Sequence, residues 1–182
     1  SDVCSSDLRK IHESLARVNK NNIILVGEPG VGKRSVVYKL VKNLENKKEI
    51  RSLDLTLLLA GTSLRGQLEE KLGQVLADLE NLRPKALLFI SDLAHMLDSE
   101  SGASAWSMLK KSLDKKKIQI IAVSTPKAYK NLLTKDASIK NYFEAIEVEE
   151  PDSNLCLKIL NSVKESLEKH YSSHNLKFRK VA

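Results

Sequence analysis

The chain has 182 residues, 42% hydrophobic, 29% charged and only 4% aromatic. That length suits one globular domain, with room for the start of a second, and the balance excludes disordered, collagenous and low-complexity classes. Thirty Lys and Arg against 23 Asp and Glu give a net charge of +7. The positive residues are dispersed, with Lys47-Lys48 and Lys115-Lys116-Lys117 the densest runs, so they are expected in solvated turns rather than on a nucleic-acid surface. No apolar run approaches the roughly 18 residues of a membrane span, and Ser1–Asp7 reads as a cut end rather than a targeting segment. Cys4 and Cys156 stand far apart without a pairing framework, which fits a reducing compartment and makes the cytoplasm the expected location.

Leu8–Asn19 carries Leu8, Ile11, Leu15 and Val18 at helical spacing. Ile23–Val26 is a continuous, mostly β-branched run ending at Gly27, the pattern of a strand buried on both faces of a parallel sheet. Gly27–Lys33 is a Gly- and Pro-containing turn, and Ser35–Leu44 returns to helical periodicity. A second strand is expected at Ile50–Leu53, and a long amphipathic helix over Arg65–Leu82, stopped by Pro84. Further strands follow at Ala86–Ile90, Ile118–Val123 and Ala145–Val148. Helices are expected at Ala105–Leu113 and Lys127–Leu133, and at Asn154–His170 behind the N-cap candidate Ser153. Alternation of strands and helices predicts an α/β fold with a parallel sheet of five strands flanked by helices.

Gly27-Glu28-Pro29-Gly30-Val31-Gly32-Lys33 satisfies G-x-x-x-x-G-K directly after a buried strand and at the mouth of a helix. Such a loop offers backbone N–H groups, a helix dipole and the Lys33 ammonium to phosphates. The position that usually carries a Mg²⁺-ligating hydroxyl holds Arg34, and Ser35 follows one residue late. Metal binding is therefore expected to be weak, while Arg34 can itself meet a phosphate.

At these residues the chain resembles the first nucleotide-binding domain of the Clp-type AAA+ unfoldases, a P-loop NTPase family. Asn21 to Lys33 is similar to that family's phosphate loop with its strand. Leu59 to Leu72 is similar to its pore loop and following helix, with Leu64, Arg65 and Gly66 at the substrate-gripping segment. Leu87–Asp92 with Leu93 and Met96, Met108-Leu109-Lys110 with Leu113, Tyr129, Lys135-Asp136-Ala137, Phe143 and Glu150-Pro151 follow in the family's order, so the likeness spans Leu8 to His174. It implies an ATP- or ADP-binding module, bound by Gly27 to Ser35, of a hexameric ring that threads unfolded protein and works with a Clp-type peptidase. It also implies a large subdomain over residues 1–150 and the truncated start of a helical lid over 151–182.

Several positions depart from the family's pattern. Where its second nucleotide strand ends in Asp-Glu, this chain has Ser91-Asp92. Asp92 then stands as catalytic acid, or, in a shifted register, as metal ligand with Leu93 leaving no base. The trans-acting arginines correspond to Asn141 and Tyr142, and the sensor hydroxyl to Ser124 or Thr125. The pore aromatic corresponds to Leu64. Because metal hydroxyl, metal carboxylate, base and finger all act on one transition state, their joint loss predicts a degenerate module that binds nucleotide more than it turns it over. An active unfolding ATPase is the alternative, and a basic DNA-associated ATPase a lesser one, opposed by the pore-loop-like stretch. Trp106 is expected in core or inter-subunit packing, Cys156 in a helical core stripe, and His12, His95, His170 and His174 outside any ligand set.

Overall fold

Ile23, Ile24, Leu25 and Val26 are all buried at 5% exposure or less, and their alternation builds the whole architecture. The computed structural model describes residues 2–44, 50–54, 57–58, 65–82, 86–91, 93–150, 157 and 161. In chain order these form α1 (Asp2–Ala16), β1 (Asn22–Val26), α2 (Lys33–Leu44), β2 (Ile50–Leu53), α3 (Arg65–Asn81), β3 (Ala86–Ile90), α4 (Leu93–Met96), α5 (Glu100–Asp114), β4 (Ile118–Ser124), α6 (Pro126–Lys135), α7 (Ile139–Tyr142) and β5 (Phe143–Glu147). The strands make one fully parallel sheet in the order β2-β3-β4-β1-β5.

Side chains alternate across a strand, so β1 feeds two cores. Ile24 and Val26 join Leu68, Leu72, Leu76 and Leu79 of α3 and Trp106, Leu109 and Leu113 of α5 on one face. Ile23 and Leu25 join Ile11 and Leu15 of α1 and Val36, Val37, Leu40 and Leu44 of α2 on the other. The stripes expected from periodicity are buried except at two places: α1 ends at Ala16, short of the expected Asn19, leaving Val18 78% exposed, and Val75 on the α3 stripe is 37% exposed. Each buried Leu or Ile contributes roughly 1.5–3 kcal/mol through removal from water, and no described helix is long and apolar enough to cross a membrane.

Several boundaries move. α5 begins at Glu100 rather than Ala105, because Ser99 caps it by accepting from the Gly102 N–H at 3.0 Å. Trp106 therefore sits mid-helix, 4% exposed, in the core. The fifth strand runs Phe143–Glu147, pairing Asn22↔Phe143 through Val26↔Glu147. α4 and α7, single turns of four residues each, are too short for periodicity to reveal. The Lys115-Lys116-Lys117 run is a folded turn: Lys115 and Lys117 pair with Glu80 at 3.1 and 3.7 Å, and Lys116, at φ +54°, donates to Asn19. The 59–64 segment, Asp92, Cys156, His170 and His174 lie outside the described residues.

Candidate nucleotide-binding site

β1 lies between β4 and β5, and its C-terminal end opens onto the loop that leads into α2. In open parallel sheets, ligands bind beyond the carboxyl ends of the strands where connections diverge. A cavity of about 520 Å³ occupies that place. Its walls come from the loop after β1 (Pro29, Gly30, Gly32), the first turn of α2 (Lys33, Arg34), the residue after β3 (Ser91) and the end of β4 (Ser124, Thr125). Three segments far apart in sequence meet there because β3, β4 and β1 lie side by side in the sheet.

The loop's shape is set by its glycines. Gly30 and Gly32 take φ of +87° and +96°, the left-handed region that costs an L side chain about 1–2 kcal/mol. Gly27 is required for another reason: a Cβ there would stand 2.5 Å from the Val148 carbonyl oxygen. The backbone closes around this point, with Gly27 N–H donating to Ser124 O at 3.2 Å and Val148 N–H to Val26 O at 2.8 Å. Val31 packs against the core beneath α2.

Lys33 is folded into the loop. Its ammonium donates to the carbonyl oxygens of Gly27 at 2.6 Å and Glu28 at 2.7 Å. Burial pushes its pKa below the ordinary lysine value, and the Glu28 carboxylate opposes that shift. Arg34, one position on, is exposed and also lines the cavity. Ser35 is exposed and is not part of the cavity wall, as expected when successive helical residues diverge by about 100°.

The two hydroxyls at the end of β4 divide their work. Thr125 caps α6, its Oγ1 accepting from the Ala128 N–H at 3.2 Å. Ser124, paired with Val26 across the sheet and 7% exposed, donates to the Thr125 carbonyl at 3.2 Å. Ser91 lines the wall from β3, and among the described lining residues there is no carboxylate. The site thus joins Gly30, Gly32, Lys33, Arg34, Ser91, Ser124 and Thr125. Glu28, Val31 and Gly27 instead border a smaller recess behind the loop, of about 260 Å³.

The described lining residues offer Mg²⁺ no carboxylate, the group that with substrate phosphates and water usually holds this hard cation. The position after Lys33, where the resemblance implies a metal-ligating hydroxyl, holds the cation Arg34; the residue after β3, where it implies a carboxylate, is the neutral Ser91, and Asp92 lies outside the described residues. No group of three or more His, Cys, Asp or Glu side chains suited to a metal occurs among the described residues.

Residues 23–153 match the AAA family, the ATPase family associated with various cellular activities. The chain belongs to that family. This AAA domain is 34% identical over 175 residues to chaperone protein ClpB 2 of Parasynechococcus marenigrum (strain WH8102), covering 91% of the chain and 19% of the relative. It is 35% identical over 179 residues to heat shock protein 104 of Schizosaccharomyces pombe, 91% against 20%. It is 33% identical to the ATP-dependent Clp protease ATP-binding subunit ClpE of Bacillus subtilis (strain 168), 91% against 25%. Among solved structures, the Saccharomyces cerevisiae Hsp104–ADP complex superposes at TM-score 0.80 with 29% identity, covering 92% of this chain and 25% of that one. The Hsp104–casein complex in its extended conformation gives 0.81 at 29%, covering 92% and 30%. The expected Clp-type AAA+ likeness and five-stranded parallel fold are both met. The AAA domain spans about a fifth to a quarter of the length of these curated relatives.

Away from the cavity, Asn141 and Tyr142 close α7. Tyr142 donates its hydroxyl to Asp114 at 2.9 Å and meets Trp106 edge to face at 6.3 Å. Sequence reasoning missed Asn22, 5% exposed, which donates to the Tyr142 carbonyl at 2.9 Å and accepts from the Ile120 N–H at 2.8 Å. Its signal was a polar residue at the mouth of an apolar strand.

Proposed function

We propose that this chain is the ATP- or ADP-binding module of a Clp-type protein-unfolding chaperone, contributing nucleotide binding and ring assembly more than turnover. The observation that carries the reading is the cavity at the carboxyl ends of β1, β3 and β4, where Pro29, Gly30 and Gly32 of the loop, α2's N-terminus and two cationic side chains face one space. Its shape and charge suit a polyphosphate, since N–H groups at a helix start and adjacent cations are an anion site. Support for the assignment to a chaperone comes from relatives named as ClpB, ClpE and heat shock protein 104, and from Hsp104 structures with ADP and with casein.

In this reading Gly30 and Gly32 let the backbone approach the phosphates, and Lys33 leaves the Gly27 and Glu28 carbonyls to meet them. Ser124 presents the hydroxyl nearest β1, while Thr125 shapes the start of α6. Residues 1–150 form the large subdomain and 151–182 begin a lid. Leu64, Arg65 and Gly66 serve as a weak pore loop on unfolded polypeptide, in a hexameric ring open to a Clp-type peptidase and located in the cytoplasm.

Hydrolysis needs a polarised water and neutralised charge on the γ-phosphate. The residues at those places are Ser91, Asp92, Asn141 and Tyr142, and the Tyr142 hydroxyl is engaged with Asp114 of its own chain. A missing arginine finger alone costs about 10³–10⁵ in rate. The testing experiment pairs ADP and ATP titration of the chain with phosphate release. Binding that Lys33→Ala removes, with turnover near background, supports the reading; robust Lys33-dependent turnover replaces it with an active unfolding ATPase, and salt-sensitive DNA binding with no nucleotide affinity replaces it altogether.

A further inference from the structure

The cavity's charge is unusual for a polyphosphate site that works with a divalent ion. Lys33 and Arg34 both line it, and the described lining residues include no carboxylate to balance them. Lys33 has its ammonium against the Gly27 and Glu28 carbonyls at 2.6 and 2.7 Å, whereas Arg34 is exposed at the cavity's edge, at the second position of a 12-residue helix. Ser35 is not part of the wall and does not restore the missing hydroxyl.

We propose that Arg34 takes the electrostatic place of the divalent cation, so that this site selects the metal-free form of a nucleoside di- or triphosphate. The inference rests on the reading of the cavity as a nucleotide site. A guanidinium is planar, permanently charged and offers paired N–H donors that match two phosphate oxygens at once. Mg²⁺ on a nucleotide occupies those same phosphate oxygens and brings positive charge toward Lys33 and Arg34. Metal-free nucleotide carries more negative charge and leaves its oxygens open, so it gains at this site what it loses at a carboxylate-lined one. The substitution of Arg34 for a hydroxyl and of Ser91 for a carboxylate then act together: the first adds a cation, the second removes the anion that would hold a metal beside it.

The test is titration calorimetry of the chain with ADP and ATP, once in EDTA and once in excess Mg²⁺, for the parent, Lys33→Ala, Arg34→Thr and Arg34→Lys. The parent is expected to bind several-fold more tightly in EDTA. Arg34→Thr is expected to lose about tenfold or more in EDTA, the scale of a charge-assisted phosphate contact, and to narrow or reverse the difference between the two conditions. Arg34→Lys is expected to fall between them, keeping the charge without the fork. Because Arg34 is exposed, these variants are expected to melt with the parent. A parent that binds tenfold more tightly with Mg²⁺, or an Arg34→Thr that binds unchanged in EDTA, overturns the proposal while leaving the nucleotide site standing. Parent affinity that Lys33→Ala also leaves unchanged, or no binding in either condition, removes the site itself and the inference with it.

Discussion

Trp106 donates its indole N–H to Asp136 at 2.7 Å, joining the middle of α5 to the residue that ends α6. The same carboxylate accepts from Lys110 at 3.0 Å and from the Ser138 hydroxyl and N–H at 2.6 and 2.9 Å. Burial by itself pushes the Asp136 pKa up, but hydrogen bonds from Ser138, Trp106 and Lys110 outweigh it and hold the carboxyl well below the usual range. A carboxylate whose pKa is depressed in the folded state stabilises it above the unfolded value, about 3.9 for Asp, and that contribution is lost as pH falls toward the folded value. Asp136→Asn is therefore expected to destabilise the chain by about 1–3 kcal/mol at pH 7 and by progressively less below about pH 4. Urea melts at pH 7 and pH 3 check this, and an equal difference at both would count against the linkage.

Gly27→Ala tests how tightly the loop is clamped by β5. The added methyl meets the carbonyl oxygen of Val148, just after β5, at 2.5 Å, so one of the two backbones must shift and about 1–3 kcal/mol of stability is expected to go. Gly66→Ala is the control, because a Cβ there meets nothing within 4 Å and lies in the first turn of α3. Thermal melts should show the first variant well below the parent and the second at or slightly above it.

Lys33→Ala should lower nucleotide affinity by about 10- to 100-fold, from the loss of a charge-assisted contact worth about 1.5–3 kcal/mol. Its fold should persist, since the two bonds that Lys33 makes without ligand are confined to its own loop, to the Gly27 and Glu28 carbonyls. Calorimetric titration alongside circular dichroism separates the two effects. Parent-like affinity would dismiss the loop as the phosphate site.

Restoring catalysis should require the missing groups together, because groups that act as a unit are grossly non-additive. Asp92→Glu alone is expected to leave phosphate release at background. The combination of Arg34→Thr, Ser91→Asp, Asp92→Glu, Asn141→Arg and Tyr142→Arg is the one expected to raise it, in an assembled ring. Tyr142→Arg carries its own penalty, about 1–2 kcal/mol, from the lost Asp114 bond and the lost edge contact with Trp106. Rescue by the single Asp92→Glu change would mean that the other departures are compensated locally.

The parts legible in the sequence are those whose physics is local. Four consecutive apolar residues at Ile23–Val26, glycines spaced for a phosphate loop, and the Leu68, Leu72, Leu76 and Leu79 stripe each declare strand, turn or buried helix face within one window, and all sit where expected. Capping signals were there to be used as well: Ser99 followed by Glu100 marks the true start of α5. What only the tertiary structure decided is which separated pieces meet. The order β2-β3-β4-β1-β5 brings Ser91 and Ser124 to the Lys33 loop. Asn22 reaches Ile120 and Tyr142 across about a hundred residues or more, and Glu80 gathers Lys115 and Lys117 from the next strand's approach. Such pairings depend on strand order and helix packing over the whole sheet. A residue's chemistry names the partners it can accept, but only chain closure determines which of them arrives.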